Sequence, residues 1–66
     1  MKEVKRVVIY PKDIMRITGK SERYARRLLT RIKKHYQKQE HQFVTTSEFA
    51  NYTGIDEVAV DKFLSD

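Results

Sequence analysis

The chain repeats its own punctuation. Shifted against itself by 35 residues, Ile9 falls on Val44, Asp13 on Glu48, Ile14 on Phe49, Thr18-Gly19 on Thr53-Gly54, Glu22 on Glu57 and Leu28-Leu29 on Phe63-Leu64. A β-branched residue, an acid, an apolar residue, a Thr-Gly break and a closing apolar pair recur in one order, as they would in a supersecondary unit used twice. Identities are few, and a common local solution to building the unit would give the same match as a duplication.

Local chemistry says what the unit is. Val4 to Ile9 is rich in β-branched residues and stops at Tyr10-Pro11, which reads as a short strand ended where proline removes a donor. Pro11 then suits the first turn of a helix over Lys12 to Ile17. Gly19 favours the left-handed conformation that closes a helix, and Ser21 is an N-cap for a second helix from Glu22 to Gln39. The second pass gives a strand over Gln42 to Val44, a capping box of Thr45 with Glu48, a helix over Ser47 to Tyr52, a turn at Thr53-Gly54-Ile55, Asp56 as an N-cap, and a helix over Glu57 to Ser65. The expected fold is mainly α: four short-to-medium helices in two helix-turn-helix-like units, with two short β-strands placed to pair.

Size limits the function. At 66 residues one domain is expected, and folding buries only about 60% of the surface the unfolded chain exposes. So thin a core leaves little room for an enclosed small-molecule pocket, and no enzymatic activity or cofactor is expected. There is no Cys to supply a disulfide or thiolate metal site, and His35 and His41 are spaced so that one helical face cannot present both. The longest apolar run is Val7 to Tyr10, far short of the ~20 residues a membrane span needs. A soluble, cytoplasmic protein without membrane attachment is the expectation.

Charge divides the two units. Residues 1 to 42 carry 13 Lys/Arg against four Asp/Glu, a balance of +9, whereas residues 43 to 66 carry Lys62 against five acids, a balance of −4. The chain therefore reads as a basic unit over 1 to 40 and an acidic packing unit over 41 to 66. In the basic unit Ala25, Leu28, Leu29, Ile32 and Tyr36 form one apolar stripe at helical spacing. Arg23, Arg27, Thr30 and Lys34 point away from it, with Lys20 and Arg31 to one side and Arg26 and Lys33 to the other. No acidic residue lies between Arg23 and Gln39 to neutralise that face.

A helix-turn-helix puts its second helix into the major groove of DNA and uses flanking side chains on phosphates. Arginine makes paired hydrogen bonds to guanine, so Arg23 and Arg27 are the base-reading candidates. Lys20, Arg26, Arg31 and Lys34 suit phosphates, the amide end of the helix at Ser21 could hold one more, and Tyr24 could donate its hydroxyl to the DNA backbone. The segment Tyr10 to Leu29, YPKDIMRITGKSERYARRLL, resembles the helix-turn-helix core of small excisionase or MerR-like DNA-binding proteins, a kind carried by mobile elements. That resemblance implies sequence-specific duplex binding without enzymatic activity, in transcriptional regulation or as an excisionase-like accessory factor. It puts Ser21, Arg23, Tyr24, Arg27 and Thr30 at exposed positions of the recognition helix. The segment Thr46 to Leu64 repeats the pattern, with Ala50 and Ile55 where the first unit has Met15 and Lys20, but Asp56, Glu57 and Asp61 would repel phosphate.

Other readings belong beside this one. A protein-interaction module would dock the basic helix on an acidic partner, and an RNA binder would prefer hairpins. The aromatics Tyr10, Phe43, Phe49, Tyr52 and Phe63 are expected in the core rather than as a stacking platform. The edge of the first strand, or the acidic half, is where a second copy would attach to make a homodimer.

Overall fold

The computed structural model describes residues 7 to 64. Its order is β1 (Val8–Ile9), α1 (Pro11–Thr18), α2 (Glu22–His35), β2 (Val44–Thr45), α3 (Thr46–Thr53) and α4 (Glu57–Leu64). The fold is mainly helical, with the two short strands paired, and the punctuation seen in the sequence recurs atom by atom. The N–H of Tyr10 donates to Asp13 Oδ2 at 2.9 Å, and that of Thr45 to Glu48 Oε1 at 3.0 Å. Gly19 (φ 73°) and Gly54 (φ 81°) end α1 and α3 in the left-handed region, their N–H groups donating to Met15 and Ala50 carbonyls at 2.8 Å. Thr18 Oγ1 donates to the Ile14 carbonyl and accepts from the Lys20 N–H, as Thr53 Oγ1 does with Phe49 and Ile55. The helix-turn-helix corner is therefore made twice with the same bonds. A Cβ on either glycine would meet nothing within 4 Å, so backbone conformation alone demands glycine there.

The two units meet through an antiparallel ladder that pairs Val8 with Thr45 and Ile9 with Val44. Ile9 and Val44 are also the repeat equivalents of one another, so an approximate twofold relates the units through that pair. Tyr10 and Phe43, one residue beyond that pair in the same register, stand edge to face at 6.1 Å. Helix packing follows the same exchange, with α1 against α4 and α3 against α2 as well as each helix against its own partner. One buried cluster results: Ile9, Ile14, Ala25, Leu28 and Ile32 from the first unit join Val44, Phe49, Ala50 and Val60 from the second.

Several boundaries differ from the sequence expectation. Strand β1 starts at Val8; residues 4 to 6 lie outside the described residues, as does Ser65 of the last helix. Strand β2 is Val44–Thr45 rather than 42 to 44, because Ile9 fixes the register on Val44. Helix α2 ends at His35, not Gln39. Tyr36 is its C-cap, and Gln37 turns left-handed at φ 57°. The Lys38 N–H then reaches the Lys33 carbonyl at 2.8 Å and the Gln37 N–H the Lys34 carbonyl at 3.1 Å, the double closure usually built on glycine. The aromatic expectation also fails in part. Phe49 is fully buried, but Tyr10, Phe43, Tyr52 and Phe63 are between 37% and 59% exposed, because aliphatic side chains from both units fill the space between the helices.

Candidate nucleic-acid interface

Ser21 starts α2 by accepting the Tyr24 N–H on its hydroxyl at 3.2 Å, which leaves earlier amides of the first turn facing outward. The stripe Ala25, Leu28 and Ile32 is buried, while Leu29 and Tyr36 are partly buried against the same core. Tyr36 ties the end of the helix to the second unit, its hydroxyl accepting from Asn51 Nδ2 at 3.0 Å. With that stripe inward, Lys20, Ser21, Arg23, Tyr24, Arg26, Arg27, Thr30, Arg31 and Lys34 are all exposed. The arrangement brings every one of the sequence candidates onto one outer surface.

Their bonding distinguishes them. Arg23, Arg27, Arg31 and Lys34 form no salt bridge with any described carboxylate. Arg26 departs from the expectation of an uncompensated face: its Nε and Nη2 donate to Glu22 Oε2 at 3.0 and 2.7 Å. Both partners are more than half exposed, and a helical pair of that kind contributes only about 0.3 to 0.5 kcal/mol, so a phosphate can compete for the guanidinium. Lys20 Nζ lies over the Tyr24 ring, 5.6 Å from its centroid. Thr30 donates its hydroxyl to the Arg26 carbonyl at 3.1 Å.

Of the clefts that border the helix, two lie beside its cationic residues beyond the first turn. One, of about 380 Å³, is walled by Arg26, Thr30, Lys33 and Lys34 on α2 and by Lys38 and Glu40 in the following turn. The other, of about 250 Å³, lies among Tyr24, Arg27, Leu28 and Arg31. Lys33 was not among the sequence candidates, although its lateral position on the helix was visible; its Nζ donates to the Glu40 carbonyl at 2.8 Å and puts a cation on the wall of the first cleft. Lys38 in the same turn is largely engaged elsewhere, 3.1 Å from Glu48 Oε2. Burial acts to raise the Glu48 carboxyl, but the Thr45 N–H, the Lys38 ammonium and the Thr45 hydroxyl together hold it below the ordinary glutamate value.

The second unit presents a different face. Its last helix, α4, is capped by Asp56, whose Oδ1 accepts the Val58 N–H at 3.1 Å, and Glu57 Oε2 accepts from Ser47 Oγ at 2.7 Å. Among the described residues no three His, Asp or Glu side chains converge as a metal site would need, and no helix is long and apolar enough to cross a membrane. The fold and this surface together define a doubled helix-turn-helix-like protein with one cationic second helix. Comparison with protein-family models, with curated proteins and with solved structures finds no match for the chain.

Proposed function

We propose that the protein binds duplex DNA in a sequence-specific manner through α2, acting as a small transcriptional regulator or an excisionase-like accessory factor. One observation carries the reading: Arg23, Arg27, Arg31 and Lys34 stand exposed on one helix without carboxylate partners among the described residues. The 14 residues of α2 make a rod about 21 Å long, enough to lie along a major groove about 12 Å wide. Arg23 and Arg27 near the helix start read base edges. Lys20, Arg31, Lys34 and, once released from Glu22, Arg26 hold phosphates on either side.

The resemblance to excisionase and MerR-like helix-turn-helix cores supports the same assignment, and the acidic second unit serves as the support on which α2 is held. The test is titration against duplex DNA at several salt concentrations. Neutralising about five phosphates gives a slope of log affinity against log salt near −4.5. A slope near zero overturns the reading, and preference for RNA hairpins over any duplex replaces it with RNA binding.

A further inference from the structure

Where the first unit carries charge, the second exposes an apolar side chain. At the 35-residue offset Val58 corresponds to Arg23, and Val58 is 62% exposed. Helical geometry sets it opposite the fully buried Val60, with Glu57 and Asp61 one turn apart down one flank. Neither acid forms a salt bridge with a described cation. The patch is thus an uncovered valine with two carboxylates at i,i+4 spacing on one flank, Glu57 also accepting from Ser47, and with exposed Lys62 one turn on at its other side.

A hollow of the opposite kind exists on the same molecule. The 250 Å³ cleft on α2 has Tyr24 and Leu28 as its apolar walls and is bordered by Arg27 and Arg31, also at i,i+4 spacing. Both charged pairs therefore have Cβ atoms about 5 to 6 Å apart. The apolar element lies beside the charges in each case, so the flank carrying Glu57 and Asp61 is opposite in sign to the one carrying Arg27 and Arg31.

We propose that α4 of one copy docks on the α2 flank of a second copy, with Val58 between Tyr24 and Leu28 and with Glu57 and Asp61 opposite Arg27 and Arg31. The two surfaces differ, so the contact is heterologous and propagates head to tail instead of closing a dimer. Helix α4 has eight residues and is about 12 Å long, so the contact falls below the ~1,200 Å² of stable interfaces and is transient. It covers Arg27 and Arg31; insofar as this consequence rests on the DNA-binding reading, duplex DNA and self-association compete for α2.

Sedimentation equilibrium of the DNA-free protein tests the contact. The weight-average mass rises with concentration at low salt and returns to that of the monomer near 0.5 M salt, where the screening length is about 4 Å. Val58→Asp moves half-association to about tenfold higher concentration or more. The double variants E57R/D61R and R27E/R31E each remain monomeric, with unchanged helical circular dichroism, and mixing them restores association because each acidic surface again meets a basic one. A wild-type mass independent of concentration at low salt overturns the proposal, as does a mixture that stays monomeric. Helix α2 is untouched in E57R/D61R, so a DNA mobility shift with that variant reports on the functional reading separately.

Discussion

Pro11 stands where Thr46 stands in the second unit, and the exchange removes one hydrogen bond from an otherwise twofold junction. The Thr46 N–H donates to the Val7 carbonyl at 2.8 Å. Its equivalent would run from residue 11 to the Gln42 carbonyl, and proline has no N–H to give. Thr46→Pro should cost about 1 kcal/mol, since its place at the start of α3 tolerates proline and only the hydrogen bond is lost. Pro11→Thr should be nearly neutral, because a regained bond offsets the lost stiffness of proline. Denaturant midpoints of the two variants check the asymmetry; equal losses would refute it.

Gln37 adopts φ 57° without being glycine. A left-handed L-residue costs about 1 to 2 kcal/mol, part of which glycine would return as unfolded-state entropy. Gln37→Gly should therefore stabilise the protein by about 0.5 to 1 kcal/mol, seen as a raised denaturant midpoint with unchanged slope. A lowered midpoint would mean that the Gln37 side chain contributes more than the strain it imposes.

Glu48 makes stability depend on acid. Its carboxyl is held below the ordinary glutamate value in the fold, so the unfolded chain takes up the proton first as pH falls. The contribution is complete above the ordinary value and disappears as pH drops through the folded one. Glu48→Gln should be less stable than the parent at pH 7, and the gap between them should narrow at a pH below the ordinary glutamate range. Parallel denaturation curves at the two pH values measure it.

The Glu22–Arg26 pair restrains the proposed interface. Glu22→Gln removes an acid from the cationic face and frees a guanidinium, so DNA affinity should rise several-fold and the salt slope should steepen by about 0.9. An unchanged slope would show that Arg26 lies outside the footprint.

Base reading and phosphate holding separate by substitution. Arg23→Ala or Arg27→Ala should cost about 1 to 3 kcal/mol on the preferred sequence and flatten discrimination there, while Lys34→Ala should weaken all duplexes alike. Binding to a random-sequence pool followed by selection distinguishes the two patterns.

The features legible in the sequence were those decided within a few residues. Ser21, the Thr45–Glu48 box and the two Thr-Gly corners all act over three or four positions, and each was found as read. The matching role of Asp13 was open to the same reasoning through its alignment with Glu48, but Tyr10 offered no side-chain cap to draw attention to it. The Glu22–Arg26 pair is not visible in the acid-free run from Arg23 to Gln39, because its carboxylate lies one residue before that run. Features set by the other unit were not legible. The register at Ile9–Val44, the link from Lys38 to Glu48 and the exposure of four aromatics depend on which surfaces meet after the chain has folded back.

The interior that α2 leans on belongs equally to the acidic half. A defect there, such as a smaller side chain at the sealed Phe49 position, loosens the cationic rod without altering any group on it. Loss of grip on a polyanion is thus no proof that the substituted residue touches one, and the half with the wrong sign of charge works as the chassis of the half with the right one.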